Sequence, residues 1–118
     1  MSARVGRPVS DFDFVRRIGD LSTGQRLHFY EVLAHQLTVV ARMIWSDAAL
    51  DDTAKVEQMK WLNEILHRVT AKVYTIRLKT HEWTDEDSLI AFGESVSHVP
   101  ALGPRVGWAI RQSYASVT

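Results

Sequence analysis

The stretch NEILHRV, residues 63–69, places Glu64 and His67 one helical turn apart. A carboxylate and an imidazole at this spacing are ligands of two-metal sites in four-helix bundles, where both side chains point into the bundle core. On a helix through this stretch, both side chains fall on the side away from the apolar stripe. Glu64 also precedes Arg68 by four residues, the spacing of a surface ion pair. The pattern therefore predicts a solvent-facing helix surface rather than a metal site.

A second polar cluster follows a helix predicted over residues 23–45. His28, Glu31 and His35 share one narrow stripe of this helix, at i, i+3 and i+7. They could form half of a metal site, or a carboxylate could orient an imidazole for general base catalysis. We favour the simpler interpretation, the solvent-facing stripe of an amphipathic helix. The alternative metal-binding hypothesis uses His28, Glu31, His35, Glu64 and His67.

A basic stripe lies on the next predicted helix. Between residues 60 and 81 the only acidic residue is Glu64, and Arg68, Lys72 and Lys79 share a side with Trp61. A phosphate-binding helix could carry such a stripe. The acidic residues that follow can instead pair with it inside the molecule, and no recognition-helix pattern or glycine-rich phosphate loop occurs. Binding of nucleic acid or of an acidic partner is therefore a second alternative.

Three large aromatic residues are candidates for a protein interface: Phe29, Trp45 and Trp61. Tryptophan near a helix end is common in cores and is also enriched in interface anchors. Charged residues surround Trp61 in the sequence, which makes it the candidate of most interest.

The composition excludes several classes of site. The chain has no cysteine, which rules out disulfides and Cys-based zinc or iron–sulfur sites. Its 14 basic and 14 acidic residues give a formal net charge of +0, with no general attraction for nucleic acid or anionic membranes. No apolar run approaches the ~18 residues of a membrane-spanning helix, and no nucleophile motif occurs. We therefore expect no catalytic residue, no cofactor and a cytoplasmic location.

Helical spacing of the apolar residues predicts two long helices, at about 23–45 and about 52–82. Ser22 and Gln25 form a capping box for the first. The short connection between the helices predicts an antiparallel hairpin. Apolar residues cover most of the circumference of the first helix, more than one neighbour can bury. The rest of the chain, a second subunit, or both must cover the remainder.

Three shorter helices complete the predicted fold, an all-α, bundle-like domain around the hairpin. One covers residues 11–18, one begins at the acidic motif TDED, residues 84–87, and one follows Pro104. We expect a disordered arm over residues 1–9 and a single helical domain over residues 10–118.

These features predict a small non-catalytic binding or regulatory protein that acts through protein–protein association, as a homodimer with a further protein partner of unknown identity. The composition favours neither nucleic acid nor a membrane as partner. The metal-binding bundle and the basic-stripe binder are the alternatives.

Overall fold

A computed structural model of the chain describes residue 18, residues 20–78 and residues 95–118. These residues form three α-helices, and no strand occurs among them. The helices are α1 (Thr23–Trp45), α2 (Asp52–Leu78) and α3 (Leu102–Val117). The described part of the chain is thus all-helical, and the predicted bounds of α1 and the predicted start of α2 are confirmed.

The start of α1 is fixed by the capping box that the sequence predicts. The Ser22 hydroxyl accepts a hydrogen bond from the Gln25 N–H at 3.2 Å, and Gln25 Oε1 accepts one from the Ser22 N–H at 3.2 Å. Gln25 Nε2 also donates to the Val117 carbonyl at 3.2 Å. One glutamine therefore caps α1 and ties its start to the end of α3.

Polar contacts near the helix ends fix the direction of α2 relative to α1. Lys55 Nζ, near the start of α2, donates to the carbonyl of Trp45, the last residue of α1, at 3.0 Å. Arg77, near the end of α2, forms an ion pair with Glu31 in the first half of α1. These two contacts show that α2 runs antiparallel to α1.

Helix α3 also runs antiparallel to α1. Its end meets the start of α1 at Gln25, and its first turn meets the residue just beyond the end of α1, where Arg105 pairs with Asp47. The turn before α3 is held to α2 as well, because Gln58 Nε2 donates to the Pro100 carbonyl at 3.0 Å. Helices α2 and α3 therefore lie on α1 with the same chain direction.

The predicted architecture, five helices of which three shorter ones pack around a long hairpin, is corrected to three helices in the described ranges, with α1 at the centre. Helix α1 packs against α2 and α3 to a similar extent, while α2 and α3 have few close approaches to each other. Helix α1 lies between the other two because its apolar face is broad enough for both α2 and α3 to pack against it. Except for Ile18, which is helical and buried, the predicted arm, the predicted helix over residues 11–18, and residues 79–94 lie outside the described residues.

The core lies along the apolar face of α1 and the facing sides of its two neighbours. Helix α2 contributes the stripe predicted from its spacing, with Leu62, Ile65, Val69 and Ile76 buried and Met59, Leu66 and Val73 packed at its margin. The buried hydrophobic residues are Ile18, Phe29, Tyr30, Leu33, Leu37, Val40, Ile44, Leu62, Ile65, Val69, Ile76, Val96, Leu102, Val106, Ala109 and Ile110.

The turn before α3 combines a strained residue with a close approach. Ala101 has a φ of 71° and a ψ of −41°, a backbone conformation that residues with a side chain rarely adopt. Two residues later, a Cβ atom on Gly103 would lie 2.1 Å from the Ser97 carbonyl oxygen. Glycine at position 103 therefore allows the first turn of α3 to pack directly on the preceding backbone.

The loop between α1 and α2 is organised by one carboxylate. Asp47 Oδ1 accepts a hydrogen bond from the Ala49 N–H at 2.9 Å, and Asp47 Oδ2 pairs with Arg105 at 2.7 Å. The hydrogen bond from the Ala49 N–H lowers the pKa of Asp47 below its ordinary value of 3.8, and the Arg105 guanidinium lowers it to a smaller extent, because both groups favour the ionised carboxylate. The same side chain shapes the loop and anchors it to α3.

Substitutions at Ala101 and Gly103 should have opposite effects on stability. Ala101→Gly relieves the positive φ and should raise the free energy of unfolding by up to about 1 kcal/mol. Gly103→Ala forces a Cβ against backbone and should lower it by about 1–3 kcal/mol. Urea denaturation of the two variants beside the wild type measures both. Equal shifts in the same direction would contradict the described turn.

The Asp47 carboxylate should make stability depend on pH in the acid range. Because its pKa is lowered in the folded state, its contribution is present above the ordinary carboxyl pKa and is lost as pH falls through the lowered pKa. Asp47→Asn should therefore flatten the fall in unfolding free energy below about pH 5. Urea unfolding at a series of acid pH values tests this, and Arg105→Gln should produce part of the same change. Identical pH profiles for wild type and Asp47→Asn would refute the role.

Candidate functional site

The polar stripe of α1 lies on the protein surface, as its spacing predicts. His28 and His35 are exposed, and Glu31 between them is partly exposed. The Glu31 carboxylate forms its ion pair across to Arg77 of α2. Glu31 therefore links two helices, a structural contact that its position in the sequence did not predict.

The Glu64 and His67 pair also faces outward. His67 is exposed, and Glu64 pairs with Arg68 at 3.1 Å between Oε2 and Nε. This is the i, i+4 pair that the sequence predicts for a solvated helix face. The spacing that resembles a metal motif thus belongs to the outer side of α2, away from the core stripe.

The five residues of the metal hypothesis are not brought together. Within residues 18, 20–78 and 95–118, no three histidine, aspartate or glutamate side chains are placed so that they could hold one metal ion. The two glutamates of the hypothesis each have an arginine partner, Arg77 for Glu31 and Arg68 for Glu64. The structure therefore assembles no donor set from His28, Glu31, His35, Glu64 and His67.

The predicted basic stripe is not a continuous surface. Lys72 is only 2 % exposed, which corrects its assignment as a surface cation. The side chain lies on the border of the core stripe of α2, where a lysine can bury its aliphatic stem. Arg68 is paired with Glu64, and Lys79 lies outside the described residues. A buried Lys72 cannot contact a phosphate, so the three residues do not form one binding stripe.

The three aromatic interface candidates have different environments. Phe29 is 0 % exposed and packs edge-on against Tyr30, with ring centroids 5.1 Å apart, so it belongs to the core and cannot form an interface. Trp45 ends α1 and is 52 % exposed. Trp61 on α2 is 37 % exposed. The two tryptophans remain candidates, while the phenylalanine is corrected to a core residue.

Trp61 lines a shallow groove along one side of α2. The groove has a volume of about 320 Å³, and its described lining residues are Glu57, Lys60, Trp61, Glu64 and Arg68. These positions are spaced i, i+3, i+4, i+7 and i+11, so they follow one face of the helix. Two acids, two bases and one indole therefore share a continuous surface beside the core stripe.

The described lining of this groove consists of charged side chains and one indole. It contains no hydroxyl, thiol or imidazole among the described residues, so it offers no ordinary nucleophile or general base apart from two carboxylates. An indole can stack on an aromatic or cationic group, and the four charges can pair with opposite charges. The sequence drew attention to Trp61 and its charged surroundings, but it did not identify Glu57 and Lys60 as members of a groove.

Comparisons of the chain with protein-family models, with curated proteins and with solved structures gave no match. Among the described residues, no helix is both long enough and apolar enough to cross a membrane.

Divalent metal ions should leave the thermal stability of the protein unchanged. A bound ion would stabilise the folded state by mass action, but the five candidate ligands form no donor set. Thermal unfolding of protein without a His tag, with added Fe, Mn, Co or Zn, tests this. A stoichiometric metal content by elemental analysis, together with a rise in Tm that His67→Ala abolishes, would contradict the described placement.

Proposed function

We propose that the protein is a small, non-catalytic helical binding protein that acts in the cytoplasm through protein–protein association. We further propose that it forms a homodimer and that the groove beside Trp61 is its contact surface. The observation that carries the proposal is an indole, 37 % exposed, set among four charged side chains on one face of α2. The cysteine-free sequence suits the reducing cytoplasm.

The composition of the groove supports a protein partner over a small molecule. Its volume of about 320 Å³ is at the lower end for small-molecule sites, which are lined mostly by apolar and aromatic groups. Here four of the five described lining residues are charged. A single aromatic anchor with charged neighbours is instead typical of protein interfaces, where a few large side chains carry most of the energy and a polar rim surrounds them.

A second copy of the chain is a compatible partner. With a formal net charge of +0, two copies have no overall charge repulsion to overcome. The broad apolar face of α1, which led to the expectation of a dimer, is covered by α2 and α3 within one chain. The homodimer proposal therefore rests on the groove of α2 rather than on uncovered core residues.

Removal of the Trp61 side chain should weaken self-association. A tryptophan that anchors an interface contributes about 2 kcal/mol or more, and the homodimer loses this side chain in both copies, so Trp61→Ala should raise the dimer dissociation constant at least about thirtyfold. Sedimentation equilibrium over a wide concentration range measures this constant. Trp45→Ala is the matched control, because Trp45 is more exposed but does not line the groove. Circular dichroism verifies that both variants retain their helices.

Two results would contradict the proposal. A wild-type protein that stays monomeric up to about millimolar concentration, where even weak pairs associate, would exclude the homodimer. A dimer that is weakened by Trp45→Ala and not by Trp61→Ala would place the contact at the end of α1 instead of the groove.

A further inference from the structure

The charges along the groove alternate in sign. From the start of α2 towards its end, the order is Glu57, Lys60, Glu64 and Arg68, which is negative, positive, negative, positive. All four residues lie on one face of one helix. A partner that matched every position would have to present the reverse order of charges with nearly the same spacing.

A second copy of α2 presents that order when it runs antiparallel to the first. Glu57 then faces Arg68 of the other copy, and Lys60 faces Glu64 of the other copy. By two-fold symmetry the same two pairs occur twice, so each of the four described groove charges meets its opposite. With a rise of 1.5 Å per residue, the facing charges are offset along the axis by at most about 1.5 Å. The spacing as well as the sign therefore fits an antiparallel pair.

The same alignment brings the two Trp61 side chains together. Trp61 lies near the midpoint of the charged stripe, and the two copies of it would be about 4.5 Å apart along the helix axis. Such a separation allows an offset or edge-to-face pair of aromatic rings. The indoles would thus sit at the centre of the contact with the charge pairs on either side, the arrangement in which an anchor residue is most effective.

We infer that two copies of this chain associate through the groove faces of their α2 helices, antiparallel, about a two-fold axis that crosses the groove face at the height of residues 62 and 63. This inference rests on the proposed homodimer and specifies its geometry. The ion pair between Glu64 and Arg68 within one chain does not oppose it, because the two side chains are 44 % and 34 % exposed. Exposed pairs contribute little and exchange partners readily. In the dimer, Glu64 lies between Arg68 of its own chain and Lys60 of the other copy.

A parallel arrangement would behave differently. Two parallel copies in register place like charges opposite each other. Two parallel copies that are shifted by one helical turn again place opposite charges against each other. That contact is head-to-tail, so one end of the groove in each copy stays unpaired and can bind a further copy. It would produce longer assemblies as the concentration rises, whereas the two-fold pair stops at a dimer.

Two complementary charge variants test the geometry. The first, Glu57→Lys with Glu64→Lys, makes the groove face entirely positive. The second, Lys60→Glu with Arg68→Glu, makes it entirely negative. Each variant alone should dimerise at least about tenfold more weakly than the wild type, because every facing pair repels. An equimolar mixture should recover the wild-type affinity as a heterodimer, which native mass spectrometry distinguishes from either homodimer by mass.

The control is Arg42→Glu, which reverses an exposed charge on α1 outside the groove and should leave the dimer intact. Circular dichroism verifies that each variant is folded. Because the chain has no cysteine, a second measurement is available. Lys60→Cys mixed with Glu64→Cys should form an intermolecular disulfide under mild oxidation, since these positions face each other across the axis. Tyr74→Cys, exposed and outside the groove, should not.

The outcomes separate this inference from the proposed function. A wild type that never dimerises defeats the proposed function and this inference together. A wild-type dimer that is unaffected by either charge variant keeps the homodimer but refutes the antiparallel contact. A mixture that shows no recovery, or assemblies larger than a dimer in the wild type, also refutes it. Recovery of a heterodimer only in the mixture supports it.

Discussion

The fold depends on the width of the apolar face of α1. Six residues of this helix are buried, and two helices, α2 and α3, are needed to cover them. Since burial of large aliphatic and aromatic side chains is the main favourable contribution to folding, α1 takes the central position. Among the described residues, its remaining side carries the exposed His28 and His35, with Glu31 between them paired to Arg77 of α2.

Polar contacts complement this apolar packing at the helix ends. Gln25 reaches the end of α3, Asp47 reaches Arg105 near its start, and Gln58 holds the turn before it. The middle of each helix is fixed by apolar contacts that tolerate some sliding, whereas a hydrogen bond at each end fixes the alignment. Together they determine which face of α2 remains outside the core, and therefore where the groove lies.

Most of the charged side chains in the described part of the protein lie on its surface. The interior of the described part contains mainly apolar side chains, with Gln58, Lys72 and Ser113 as buried polar residues. The groove on α2 has charges of both signs, and the proposed partner is therefore one with a matching order of charges rather than one of a single sign. On the described part of α2, the burial of Lys72 interrupts the cationic stripe that the sequence suggested.

What the sequence by itself determined is the structure that arises within one or two helical turns. Contacts between residues three or four apart explain the features that were predicted correctly. These are the capping box at Ser22, the bounds of α1, the start of α2, the ion pair of Glu64 with Arg68 and the outward direction of His67. The tertiary structure decided the burial of Phe29 and Lys72 and the position of α3 against α1. It also decided that α1 lies between two neighbours, where the sequence predicted three shorter helices around a hairpin, and it formed the groove beside Trp61. Helical periodicity gives the direction in which a side chain points from the axis of its helix. Only the packing of segments that are distant in the sequence decides which of these directions are buried and which stay exposed.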